Sequence, residues 1–274
     1  MRSAVTGLDH VIIAVSDLEA TVAVFRSLGF TPMPRGEHPQ WGTANACLMF
    51  GRDYVELLAA QGPGEAAERV RAFTAARRNG LMAVALGSRD AAHDAQRLGL
   101  AAPSALSRSV EGQTAHFAIA ALPDGSTPGM ASFLCQHLTP ELLRPSGSTD
   151  HANGALSLVS VTAVVEEPLA QMAAWDRMIG PAAATATDDT VTVHTPNGMV
   201  FLCRPEDLGQ LHPEADEEAP PPPPALVALS LRVADTDRAA RLLAANRIGF
   251  SRDGEGNIRI PAEEACGVFL ELLG

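Results

Sequence analysis

The chain has 274 residues, 46% of them hydrophobic, enough for two ordinary domains or four small modules, each with a buried core. Its formal net charge is −12 and its pI about 5.0, a field that repels phosphate backbones and anionic bilayers and so argues against nucleic acid and membrane as partners. All 20 basic residues are arginine, which removes Schiff-base chemistry and the phosphate-binding loop, because both need a lysine amine.

Residues 1–7 hold no separate apolar core or cleavage site, and no later apolar run is long enough to span a bilayer, so a cytoplasmic protein is expected. The β-branched run within Leu8–Asp17 predicts a strand, and Ser16-x-x-Glu19 reads as a capping box that starts a helix. Leu18, Val22, Phe25 and Leu28 recur at helical spacing until Gly29, which takes the left-handed turn that ends the helix. Short strands follow to Leu58. Cys47, Cys135, Cys203 and Cys266 are widely separated and form no Cys-x-x-Cys pair, so reduced, mostly buried thiols are expected.

The same order of elements recurs along the chain. Phe133-Leu134-Cys135, Phe201-Leu202-Cys203 and Phe269-Leu270-Glu271 repeat at an interval of 68 residues, and Tyr54-Val55-Glu56 is the matching triplet of the first unit. Helix ends repeat too, at Gly29, Gly99, Gly180 and Gly249. The first strand aligns with Leu226–Asp235 without a gap and with Leu158–Glu167, and the second unit's first strand falls near Leu81–Leu86. Four βαβββ units result. The polar stretch Arg144–Asp150 separates residues 1–144 from residues 150–274, and the acidic and five-proline segment 214–224 reads as an exposed spacer between units three and four. One such unit leaves a sheet half covered, so first should pair with second and third with fourth.

Strand, helix and three strands, with His10 in the first strand, Glu56 in the last and a His38-x-x-x-Gly42-Thr43-x-Asn45 segment between them, resemble the vicinal oxygen chelate superfamily, in its glyoxalase-like branch. The superfamily includes glyoxalases, bleomycin-resistance proteins and extradiol dioxygenases. The resemblance implies an α+β fold of four βαβββ modules paired into two curved mixed-sheet halves, with a divalent metal held by side chains of first and last strands. Strand alternation then puts the metal-facing positions at His10, Leu81 or Met82, Ser160 and Ala228 in the first strands, and at Glu56, Cys135, Cys203 and Glu271 in the last. His and Glu occur together in the first unit only, so the site is expected in the N-terminal half, with the C-terminal half degenerate.

A divalent ion (manganese, iron, zinc or nickel) on His10 and Glu56 needs a third ligand. His137, two residues beyond Cys135 on the same face, is the expected one within a Cys135-Gln136-His137 segment that looks like a signature of the branch, and His116 is the reserve. His38 and Glu56 are the expected catalytic groups, Trp41, Thr43 and Asn45 the expected ligand-binding ones, and Asn45 or Gln136 the donors that fix the imidazoles. Gly42 is expected to let backbone approach the ligand. His151 to Ala155 reads as a domain-junction turn, and His93, His194 and His212 as solvated. Two readings stand: a metal-dependent lyase, isomerase or dioxygenase acting on a small oxygen-chelating substrate, or a metal-free module that sequesters a small molecule. A homodimer is left open.

Overall fold

Each repeat folds as the hydrophobic pattern dictates. The computed structural model describes residues 3–123, 125–127, 130–216 and 220–274. The first unit comprises β1 (Val5–Ala14), α1 (Leu18–Ser27), β2 (Gly36–His38), β3 (Thr43–Met49) and β4 (Tyr54–Ala60), followed by a connecting helix α2 (Glu65–Arg77). The second has β5 (Gly80–Ser88), α3 (Ala91–Leu98), β6 (Ser104–Val110), β7 (Gln113–Ala121) and β8 (Ala131–His137). The third has β9 (Ala155–Val164), α4 (Met172–Met178), β10 (Ala184–Thr187), β11 (Thr190–His194), β12 (Met199–Cys203) and a single turn α5 (Leu208–Leu211). The fourth has β13 (Ala225–Val233), α6 (Thr236–Ala245), β14 (Ser251–Arg252), β15 (Ile258–Ile260) and β16 (Phe269–Leu273).

In every unit the first strand runs parallel to the last, and that is why the triplets repeat. The pairs are β1 with β4, β5 with β8, β9 with β12 and β13 with β16. Units one and two close into an eight-stranded barrel in the order β1-β4-β3-β2-β6-β7-β8-β5, sealed on one side by antiparallel β1 and β5 and on the other by the Glu37–Ser109 pairing of β2 with β6. Units three and four form a second eight-stranded sheet around antiparallel β9 and β13, ending in β10 and β14 without closing.

Period-two alternation sorts the side chains between two environments. Val11 and Ile13 of β1, Val55 and Leu57 of β4 and Leu134 of β8 face outward into one buried cluster shared with Leu158 and Val161 of β9 and Leu229 and Leu231 of β13. His10 and Ile12, Tyr54 and Glu56, and Phe133 and Cys135 face the barrel interior. The halves are also tied by hydrogen bonds. His151 accepts from Thr31 N at 3.0 Å and donates Nε2–H to Met49 O at 2.9 Å, while Asn153 donates to Leu28 O at 2.9 Å. Asn197 pairs with both backbone groups of Leu8 at 2.7 Å, and Asp53 accepts from Leu158 N at 2.8 Å. The turn at His151 is therefore a buried latch.

Local expectations differ at three points. Asp17, not Ser16, caps α1: its Oδ1 accepts from Ala20 N at 3.0 Å, while Ser16 N and Oγ both turn to Asn79. Gly29 does end the helix at φ +89°, where a Cβ would stand 2.9 Å from Asn153 Cβ. His212 is buried rather than solvated, hydrogen-bonded to Thr162 at 2.8 Å, whereas His194 is exposed and His93 half-buried. The acidic and proline segment is only partly open, because Ala215 is buried in a cluster with Leu208 and Phe269; residues 217–219 lie outside the described residues. All four thiols are free, three of them buried. No helix among the described residues is long and apolar enough to cross a membrane.

Candidate functional site

The barrel interior gathers polar groups from β1 to β4 onto one carboxylate. His10 Nε2 lies 3.5 Å from Glu56 Oε2. His38, the last residue of β2, pairs across the hairpin with Thr43, and its Nδ1 is 3.0 Å from Thr43 Oγ1, which leaves Nε2 facing Glu56 Oε1 at 4.0 Å. Asn45 donates Nδ2–H to the same Oε1 at 2.6 Å. Trp41 tilts its ring toward His38, with centroids 6.0 Å apart. Together these groups border a cavity of ≈ 40 Å³ walled by Ile12, Leu58, Leu106, Phe117 and Phe133. That is room for an ion or a few waters.

Gly42 serves the chain rather than a ligand. At φ +65° its O accepts from the N–H groups of Gln61 and Gly62, and a Cβ would stand 2.1 Å from Pro63 O. The hairpin tip carrying His38 and Thr43 is thereby anchored against the end of β4. Asn45 fixes the carboxylate of Glu56 rather than an imidazole, and Gln136 accepts from Ala91 N at the start of α3.

Asp9 is the residue that alternation hides. β1 slips register against β5 between Leu8 and His10, so Asp9 is the extra residue of a bulge and can share a side with its neighbour. Its Oδ1 accepts from His10 Nδ1 at 2.6 Å, and both its oxygens accept from His137 Nε2, at 2.9 and 2.7 Å. Burial by itself would raise the Asp9 carboxyl, but the hydrogen bonds and charge of His10 and His137 outweigh it and hold Asp9 well below the usual carboxylate range. His137 therefore does not stand beside Glu56 in one donor set. It backs Asp9, edge-on to Phe117 at 5.3 Å, with a buried Nδ1 that has no hydrogen-bond partner. His116, the reserve ligand, alternates to the outside of β7 and is exposed.

Ionised Asp9 takes the Nδ1–H of His10, which turns the Nε2 of that ring toward Glu56. Tyr54 stacks on the ring at 4.3 Å, and burial raises the Tyr54 phenol so that it stays neutral. Burial lowers the His38 imidazole; the Glu56 charge offsets part of this and Arg108 adds to it. A neutral imidazole results, as a metal ligand or a proton acceptor requires.

Arg108 was absent from the residues singled out in the sequence. It sits on β6 with Leu106 and faces inward, 4% exposed, donating Nη1–H to Cys47 Sγ at 2.9 Å while its Nε–H has no partner. Burial pushes the Cys47 thiol up to about 12, so that contact is with a neutral thiol. The signal in the sequence was one arginine on the apolar phase of an otherwise small-residue strand. Among the described residues the donors already within 4.8 Å of one another are those of Asp9, His10 and Cys135. Asp9 is committed to two imidazoles there, and burial holds the Cys135 thiol protonated.

A family model described as a glyoxalase-like domain matches residues 8–179. No curated protein matches the chain. Among solved structures, a hypothetical protein from Staphylococcus aureus aligns with a TM-score of 0.68 at 10% identity, covering 97% of this chain and 98% of its own. A triple mutant of 4-hydroxymandelate synthase from Streptomyces coelicolor gives 0.64 at 16%, covering 99% and 92%. A xylose isomerase-like TIM barrel/4-hydroxyphenylpyruvate dioxygenase fusion protein gives 0.61 at 16%, covering 99% of this chain and 49% of the fusion. The last two are vicinal oxygen chelate proteins, and at these identities the likeness is one of fold.

Proposed function

We propose, for a chain that belongs to the glyoxalase-like domain family and has the vicinal oxygen chelate fold, that the N-terminal barrel is a divalent-metal-dependent active site. It acts as a lyase, isomerase or dioxygenase on a small substrate that offers two adjacent oxygens. The observation that carries this reading is the His10 Nε2 to Glu56 Oε2 separation of 3.5 Å. A ring nitrogen this close to a carboxylate calls for a proton or a cation between them, and 3.5 Å is longer than the 2.7–3.2 Å typical of an N–H···O bond. Two ligand bonds of about 2.1 Å at a tetrahedral angle span about 3.4 Å.

The donor chemistry supports the same reading. His10, His38 and Glu56 would hold the ion: two imidazoles and one carboxylate is a set that suits iron, manganese, zinc or nickel and leaves positions open. Each imidazole faces Glu56, at 3.5 and 4.0 Å, but the three donors do not all lie within 4.8 Å of one another, so binding would draw the two rings together. Asp9 behind His10 and Thr43 behind His38 are the partners that orient ligating imidazoles. His38 takes the place that the strand pattern suggests for His137, and His137 acts through Asp9. The bound ion supplies a Lewis acid for the substrate oxygens. The chain itself contributes orientation through Asp9, Tyr54 and Asn45, a neutral His38, and apolar walls that exclude water.

One observation favours the second reading, a metal-free sequestering module. Asn45 already donates to Glu56 at 2.6 Å, so the carboxylate is not without a partner. Metal analysis of protein purified without chelator separates the two. About one equivalent of a divalent metal is expected, reduced by about tenfold or more in His10→Ala, His38→Ala or Glu56→Ala. Wild-type protein that carries no such metal and takes none up on addition overturns the proposal.

A further inference from the structure

We infer that Arg108 is the anchor for a carboxylate, and that the ligand of this barrel is a small organic acid with an apolar body. The inference deepens the metal reading and rests on it only for where the reacting end lies. Arg108 is the one buried arginine among the described residues, and a guanidinium keeps its charge wherever it sits. A buried charge without a counter-charge is costly, and proteins retain one where something outside the chain completes it. Its hydrogen bond to Cys47 reaches a neutral thiol. The nearby carboxylate of Glu56 is committed to Asn45 and turned toward two imidazoles.

The geometry identifies the missing partner. Nη1 is spent on Cys47, while Nε–H is buried and has no acceptor. The Nε–Nη2 edge is the side of the fork on which a planar carboxylate docks with two parallel bonds. Arg108 also lines two spaces at once. On one side is the 40 Å³ cavity of His10, His38 and Glu56, and on the other a cleft of ≈ 260 Å³ with Met33, Val110, Ala115, Leu142 and Pro145 as its apolar wall and Glu111 and Gln113 as its exposed polar edge. A carboxylate on Arg108 thus sits at the junction, with its apolar body in the larger cleft and neighbouring oxygens directed at the smaller cavity. A single guanidinium suits a monoanion. With a net charge of −12 the protein repels anions in general, so an anion enters only where a cation is built in.

The test uses full-length protein in metal-free and manganese-loaded form, with acetate, isobutyrate and benzoate and their amides as probes. Calorimetry should show at least one carboxylate binding metal-free wild type about tenfold or more tighter than its amide, with that preference lost in Arg108→Met and partly kept in Arg108→Lys. Near-UV circular dichroism checks that the variants fold. If Arg108→Met does not fold, the wild-type Arg Nε–H resonance decides the matter: it should shift on titration with the carboxylate and not with the amide. Carboxylate binding that needs manganese and ignores Arg108, or no carboxylate preference in any form, overturns the inference. Arg108-dependent binding in a protein that takes up no metal keeps it, and overturns the metal reading alone.

Discussion

Replacing Asp53 by Asn should change the pH dependence of stability. Asp53 lies at the turn between β3 and β4 and is 2% exposed, and its carboxyl accepts from Leu158 N in β9, joining the barrel to the second sheet. Burial pushes that carboxyl up to about 6, and the Leu158 hydrogen bond and the Arg144 charge offset only part of the rise. An unfolded aspartate titrates near 3.9. Below about pH 4 the group is protonated in both states and costs nothing. Between about pH 4 and 6 the unfolded chain ionises first, so folding binds a proton and stability falls as pH rises. Above about pH 6 both states are ionised and the loss is constant. A shift of about two pH units corresponds to about 3 kcal/mol. Asn keeps the oxygen that accepts from Leu158 N but cannot ionise. The difference in unfolding free energy between Asp53→Asn and wild type, from urea titrations followed by circular dichroism, should therefore rise by about 3 kcal/mol in favour of the variant between about pH 4 and 7.5. The cost of burying the Asn amide nitrogen is the same at both pH values and drops out. Parallel stability profiles would refute the reasoning.

Three further outcomes follow from the same geometry. Glu56→Gln should abolish divalent metal uptake, while Glu271→Gln should leave it unchanged, because Glu271 accepts from Ser230 at 2.8 Å and faces Arg259 at 3.6 Å, with no imidazole at the matched position; metal content of both variants checks this. His151→Ala removes the acceptor for Thr31 N and the donor to Met49 O and should cost about 2–4 kcal/mol in chemical denaturation without changing metal content. Gly42→Ala would place a methyl 2.1 Å from Pro63 O at a left-handed φ, so it should lower stability by more than about 1 kcal/mol and weaken metal binding by displacing His38.

Much of the architecture is legible because it is built from local, repeated rules. The four triplets recur because each unit must set its last strand parallel to its first. Alternation alone assigns Val11 and Val55 outward and His10 and Glu56 inward. His38, Trp41, Thr43 and Asn45 could be grouped because a hairpin brings neighbours in sequence together across one turn.

Where side chains meet across the barrel was decided by tertiary structure. Alternation assigns Asp9 to the face opposite His10, and a one-residue bulge against β5, a strand some 70 residues away, reverses that assignment. Once there, Asp9 takes His137, which the same period-two rule had put beside Glu56. Arg108 becomes a buried charge only because the Glu37–Ser109 pairing closes the barrel and turns its side of β6 into an interior. Strand period and turn chemistry act over a few residues and are written locally. Bulges, barrel closure and the partners of a buried charge depend on which distant backbone fills the neighbouring place, and only the folded chain specifies that.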